Sequence, residues 1–284
     1  MQLSHDTFKE LIRLIQLWTG LALGPDKAYL IRHRLAPVVR SCGFGGFDDL
    51  LLRLQGGGAT RMRDAVVEAI TTKETSFFRD PWLFDALSRH ALPELARGLK
   101  RPDRADPRIR IWSAGTSTGQ EVYSLAMIVR EYLDSPKREL NEGHFTILAS
   151  DISGEAIDAA RTGLYSKVEV ERGLAKSRLR RYLRPHGHGW SVDEPLRRLV
   201  QFRTFNLLRP AAELGTFDLI LCRNVLIYFD EATREKVGRS LGGALREGGW
   251  LALGSAESLY GAGDGLESVK FGRAFLYRKS GPAE

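Results

Sequence analysis

The sequence predicts an α/β protein, a doubly wound sheet behind an all-helical N-terminal domain. Three observations carry that expectation. Residues 109–125, IRIWSAGTSTGQEVYSL, join a short β-branched apolar run to a glycine-bearing turn. Val122, Leu125, Ala126, Val129 and Leu133 then recur at helical spacing. Strand, turn and helix in that order open a doubly wound sheet. Two more apolar runs, FTILA at 145–149 and FDLILC at 217–222, are of buried-strand type, ending in Ser150-Asp151 and Arg223-Asn224. Residues 4–72, by contrast, show only helical periodicity.

The N-terminal domain is placed at residues 1–72. Phe8, Leu11, Ile12, Ile15 and Trp18 form one stripe that ends at Gly20 to Pro25. A second helix is expected over 26–41, with Leu30, Ile31, Leu35, Val38 and Val39 as its apolar face and a kink at Pro37. It also carries Lys27, Arg32, His33, Arg34 and Arg40, with Asp26 its sole acid. Helices over about 46–55 and 60–71 follow, parted by the glycine run 56–58.

The second domain is placed at 73–284. Its entry, TTKETSFFRD at 71–80, is polar and then aromatic; Asp80-Pro81 has the form of an N-cap with proline at the first helical position. A charged connection, 100–108, leads into the first strand. The second strand ends at Asp151, where this class of fold hydrogen-bonds ribose hydroxyls; a helix cap by Asp151 or Ser153 fits the residues equally well. PHGHGW at 185–190 is a break, and its two histidines lack the acids or cysteines of a metal site. Residues 190–193 and 199–205 form short strands, taken as a small antiparallel β insertion at about 186–205. A helix over 231–245, a strand over 250–253 and a last strand over 271–278 complete the chain.

The composition bounds the function. With 284 residues, 43% hydrophobic and 27% charged, the chain has ample core and an ordinary globular balance. No long uncharged apolar run and no signal-peptide pattern is present, so neither membrane insertion nor export is expected, and the location is taken as cytoplasmic. Cys42 and Cys222 stand in unrelated contexts that fit neither a disulfide framework nor zinc. The net charge of +7 favours an anionic partner: nucleic acid, a membrane surface or an acidic protein.

Three readings compete for the loop 113–119. A dinucleotide site prefers G-x-G-x-x-G, and only Gly115 and Gly119 are available. Literally the loop is G-x-S-x-G, a nucleophile elbow on Ser117. That fold needs strands before the elbow and a histidine after it, yet the preceding hundred residues are helical and no histidine follows His188. The third reading is the glycine-rich loop of a class I methyltransferase, which binds S-adenosylmethionine (AdoMet).

Five stretches decide for the third. IWSAGTSTGQEVYSLAM, FDLILCRNVLIYFD, TTKETSFFRD, FRTFNLL at 202–208 and GSAESL at 254–259 resemble, in order and along nearly the whole chain, the chemotaxis receptor methyltransferases of the CheR family. The resemblance implies an AdoMet-dependent protein-glutamate O-methyltransferase acting on the helical cytoplasmic part of bacterial chemoreceptors. By motif position it implies cofactor contacts at Lys73, Thr75, Arg79, Gly115, Glu121, Asp151, Asn206, Leu207, Asn224 and Val225, with no metal. Lys73 stands where the family often has asparagine. Thr118-x-x-Glu121 also has the form of a capping box.

A glutamate acceptor is already ionised at neutral pH, with an ordinary pKa of ~4.3, so no general base is expected. A donor must meet its second oxygen once water is stripped away. Arg79 and Tyr228 are the catalytic candidates. Arg79 is also placed on the cofactor's carboxylate, and the milder Tyr228 on the substrate. The acidic receptor is expected to dock through the basic helix 26–41, chiefly at Arg34 and Arg40. Two other classes fit parts of the sequence: a non-catalytic AdoMet-binding regulatory module, against which the intact RNVLIYF stretch argues, and a nucleic-acid methyltransferase, which usually has an Asn/Asp-Pro-Pro-aromatic motif where this chain has Arg-Asn-Val-Leu.

Overall fold

The computed structural model describes residues 1–56, 60–99, 104, 106–135, 140–259 and 265–281. Most of the glycine run 56–58 and much of the connection 100–108 lie outside them. Two compact units divide the chain: Met1–Thr72 with Tyr228–Thr233, and Lys73–Ile227 with Arg234–Glu284.

In the helical unit, α1 (His5–Thr19) starts at Ser4, whose hydroxyl accepts the Thr7 N–H, and ends at Gly20 in the left-handed conformation. A 3-10 turn, Pro25–Lys27, takes the place of the expected first turn of the second helix. Then come α2 (Ala28–Ser41), α3 (Phe47–Gln55) and α4 (Thr60–Ile70). Leu11, Ile15, Ile31, Leu35, Val39, Leu50 and Val66 interlock as the core, while Arg32, His33 and Arg40 face solvent. Arg34 departs from the docking expectation. Its Nη1 donates to the carbonyls of Ile70 and Thr71, at 2.9 and 2.8 Å, so it closes the end of α4 from within.

The segment 228–233 belongs with these helices. The Tyr228 carbonyl accepts the Ala22 N–H at 2.8 Å, and Leu21 forms an antiparallel bridge with Phe229. Gln16 Nε2 donates to Asp230 Oδ2 at 2.7 Å.

The larger unit opens with α5 (Pro81–Ala86) and α6 (Leu92–Gly98), joined by a widened π turn, Leu87–Ala91. Pro93 has no N–H to give and its ring crowds the carbonyl four residues back, which the wider turn relieves. Next are β1 (Ile109–Ala114), α7 (Gln120–Leu133), β2 (Phe145–Asp151), α8 (Gly154–Thr162), β3 (Leu164–Ser166), α9 (Lys167–Glu171), α10 (Lys176–Tyr182), β4 (Leu183–His186), β5 (Gly189–Val192), α11 (Glu194–Arg198) and β6 (Val200–Thr204). β7 (Phe217–Cys222), α12 (Glu231–Ala244), β8 (Leu245–Leu253), β9 (Leu266–Phe271) and β10 (Ala274–Lys279) complete it.

Seven strands form one sheet in the order β6-β2-β1-β7-β8-β10-β9. The first five run parallel, and the β9–β10 hairpin closes the far edge antiparallel to β8. This is the methyltransferase form of the doubly wound sheet. β7 is buried throughout, as a strand covered on both faces must be.

Three expectations need correction. Residues 200–204 are not part of an antiparallel insertion; β6 pairs parallel with β2 as an edge of the main sheet. The small antiparallel sheet is instead β3-β5-β4, spanning 164–192, with the histidine-bearing turn at the tip of its β4–β5 hairpin. β9 has its own strand before Phe271, and β8 starts at Leu245 rather than Trp250. Among the described residues no helix is long and apolar enough to cross a membrane, and no group of three potential metal ligands occurs.

Candidate active site

Register decides where the candidate residues meet. Ala114 lies opposite Ser150 on β2 and Cys222 on β7; Asp151 lies opposite Thr204; Cys222 lies opposite Leu253. The loops 115–119, 151–153, 205–207, 223–227 and 254–257 therefore leave the sheet along one carboxyl edge, where ligands of open α/β sheets bind.

The loop after β1 is pinned by its neighbours. The N–H groups of Gly115 and Thr116 both donate to the Ser150 carbonyl, at 2.8 and 2.9 Å. Gly115 has φ +76°, and a Cβ there would lie 2.4 Å from Val225 Cγ2, so this position admits only glycine and seats two of the candidates against each other. Ser117 takes φ +53°, a conformation few side-chain-bearing residues adopt. Its N–H donates to Asp151 Oδ2 at 2.8 Å. Asp151 Oδ1 accepts the Ser153 N–H at 3.0 Å, while Ser153 itself caps α8 through Ala156. Asp151 thus ties the two loops and leaves the cap to its neighbour.

Glu121 forms no capping box, because Gly119 is the N-cap of α7 and offers no side chain. The Glu121 carboxylate instead accepts the Ser113 hydroxyl on Oε1 at 2.9 Å and Arg223 Nη1 on Oε2 at 2.8 Å. Arg223, whose side chain is 1% exposed, turns its other nitrogen to Asp80 Oδ2 (2.6 Å) and the Arg79 carbonyl (2.8 Å). Asp80, expected as a helix cap, makes no cap hydrogen bond. Its carboxylate is the second anion on Arg223. A buried guanidinium between two carboxylates is held because its planar fork offers each acid a separate terminal nitrogen.

The remaining candidates follow. Asn206 Oδ1 accepts the Leu208 N–H at 3.0 Å, a local turn bond that fixes Leu207 between them. Lys73 is paired with Glu155 on α8 at 2.8 Å, so its ammonium is directed to that acid. The half-buried Arg79 makes no ion pair among the described residues, and Phe78 and Asp80 on either side of it both have positive φ. Asn224 also has positive φ (+58°), and its N–H donates to Glu257 Oε2 at 2.7 Å. Thr75 is half-buried. Tyr228 sits with the helical unit and is 39% exposed.

Sequence reasoning missed Ser113, Asp80, Arg223 and Glu257 as parts of this edge. The signal for Arg223 was an arginine directly after an all-buried strand, where only a paired charge is tolerated.

The edge carries unpaired polar atoms that fit a polar ligand such as AdoMet. Thr116 Oγ1, Ser117 Oγ and Arg223 Nε are buried and have no hydrogen-bond partner among the described residues. All three lie just past the ends of the central strands β1 and β7. Buried polar atoms are rarely left unpaired unless something else pairs with them. Cys222 is not a nucleophile candidate: burial pushes its thiol up, with the charges of Glu257 and Glu121 adding to the shift.

Comparison with known proteins agrees with this geometry. Residues 73–275 match the family model described as the CheR methyltransferase SAM-binding domain, and residues 6–71 match the CheR methyltransferase all-alpha domain. Chemotaxis protein methyltransferase Cher2 of Pseudomonas putida is 37% identical over 260 residues, covering 91% of this chain and 92% of that protein. Chemotaxis protein methyltransferase 1 of Vibrio cholerae is 38% identical over 277 residues, covering 97% and 98%. The protein of the same name from Pseudomonas aeruginosa is 38% identical over 273 residues, covering 95% and 96%.

Proposed function

The chain belongs to the CheR methyltransferase family, and from that premise we propose how its own residues perform the transfer of a methyl group from AdoMet to glutamate side chains of a bacterial chemoreceptor. The product is a glutamate methyl ester. The observation that supports this most directly is the convergence of Thr116, Ser117 and Asp151, Arg223 and Asn224 on one strand edge, with three buried polar atoms there awaiting partners. AdoMet, when bound, supplies a methyl group on a sulfonium centre.

The chain's residues have to bind, orient and exclude water. Asp151, whose carboxylate accepts the N–H groups of Ser117 and Ser153 and so is fixed at the end of β2, takes the ribose hydroxyls, as a carboxylate that only accepts can. Thr75, Gly115, Glu121, Asn206, Leu207, Asn224 and Val225 complete the cofactor surface. Lys73 stands at the rim of that set with Glu155 on α8 as an ion-pair partner. Arg79, a cation with no ion pair among the described residues, takes the cofactor carboxylate. Tyr228 donates to the acceptor's second oxygen. A neutral phenol holds that carboxylate without the tight ion pair that would blunt its nucleophilicity. No general base is needed, since the acceptor arrives ionised. Rate then comes from in-line positioning and desolvation.

We place the receptor's acidic helices on the exposed cations of α2, Arg32 and Arg40, with His33 between them. Arg34 serves the fold instead. A cytoplasmic location follows from such a substrate.

The test is the product. Receptor labelled with radioactive methyl groups should release the label as volatile methanol in mild alkali. Tyr228→Phe should lower kcat by roughly 10- to 100-fold, the loss of one hydrogen bond to a charged group, with AdoMet affinity unchanged. Label that survives alkali would refute the ester assignment.

A further inference from the structure

The turn between Cys222 and Tyr228 is gripped from two sides. On one side Arg223 is drawn into the core by Glu121 and Asp80. On the other, Glu257 reaches in from the turn after β8. Its Oε2 accepts the N–H groups of Asn224 and Gly254, both at 2.7 Å, and its Oε1 accepts the N–H of Ile227 at 3.2 Å. Gly254 makes room for this. A Cβ on it would stand 2.6 Å from Glu257 Oε2 and 2.8 Å from Asn224 Nδ2.

Two of the three bonds, those from Asn224 and Ile227, have one physical cause; the third, from Gly254, closes the turn that carries Glu257 itself. Asn224 in the left-handed conformation leads into a short 3-10 turn, Leu226–Tyr228, whose first N–H groups have no partner within the turn. A residue inside that turn would normally supply the cap. Here an acid thirty residues further along the chain supplies it, and only a group that accepts on both oxygens and donates from neither meets three converging N–H groups.

We propose that Glu257 is a positioning residue for methyl transfer. Through Oε2 it holds Asn224, and with it Val225, at the cofactor edge; through Oε1 it fixes Ile227, the residue joined directly to Tyr228. This rests on Tyr228 being the acceptor-side donor. The two oxygens separate the two duties. In Glu257→Gln, the amide carbonyl keeps the two 2.7 Å bonds and the amide NH2 faces the Ile227 N–H, donor against donor.

The experiment uses the full chain with its receptor substrate. Glu257→Gln should lower kcat by about tenfold, the loss of roughly one hydrogen bond, and leave the calorimetric Kd for AdoMet within about threefold. Glu257→Ala, which removes all three bonds, should weaken AdoMet binding by at least about tenfold as well. Glu257→Gln combined with Tyr228→Phe should be no slower than Tyr228→Phe alone, because both act on one contact. Parallel changes in kcat and Kd in Glu257→Gln, unchanged kcat, or multiplication of the two effects in the double variant would each overturn the role of Glu257. Full kcat in Tyr228→Phe alone would instead overturn the reading of Tyr228.

Discussion

Arg223→Met is the sharpest test of the buried ionic centre. The arginine side chain is 1% exposed, and its two acids, Glu121 and Asp80, are 10% and 18% exposed. Methionine fills most of the volume and removes the cation. Glu121 keeps the Ser113 hydroxyl on one oxygen; the Asp80 oxygen and the Arg79 carbonyl that Arg223 served lose its donors. Leaving a buried charge uncompensated costs about 3–5 kcal/mol, a large part of a typical domain's stability. Adding Glu121→Gln takes away one of the two stranded charges and should return about 1–2 kcal/mol. Arg223→Lys should fall between, since an ammonium cannot fork to both acids. Urea unfolding followed by the emission of Trp112 and Trp250, both buried in this unit, reads all three variants. A cost below about 1 kcal/mol, the scale of exposed ion pairs, would refute the reasoning. So would a double variant no more stable than Arg223→Met.

Two further outcomes concern ligands. Asp151→Ala should weaken AdoMet binding by about 1.5–3 kcal/mol, the range for a hydrogen bond to a charged group; calorimetry on a folded variant with undiminished affinity would remove Asp151 from the ribose. Arg32→Glu with Arg40→Glu should raise the KM for receptor and flatten its salt dependence with AdoMet affinity untouched, and unchanged receptor kinetics at low salt would take α2 out of the docking surface.

The sheet was legible because its central strands are nearly continuous apolar runs. The loops that follow them were legible too, because a strand end followed by glycine or a small polar residue is where this fold does chemistry. What stayed hidden was partner choice. Glu121 looked like a cap because Thr118 stands three residues before it, whereas its partner Arg223 is 102 residues away. Asp80 looked like a cap for the same local reason. Residues 200–204 are short and half-exposed, so nothing in their own pattern distinguishes a parallel edge strand from a hairpin. β9 reads LESVKF, too weakly alternating to stand out before it pairs with β10. Glu257 was invisible in its role because its hydrogen bonds among the described residues go to backbone N–H groups, which carry no sequence signature.

The six residues Tyr228–Thr233 have a consequence for inheritance. They are encoded inside the sheet-bearing part yet fold with the first 72 residues, through Ala22, Leu21 and Gln16. A gene cut at codon 72 therefore yields no complete helical module, and a swap with a distant homologue's N-terminal part breaks up a set of contacts unless a patch in mid-frame is exchanged along with it. Recombination at the obvious boundary is penalised, and the two parts are expected to have descended together.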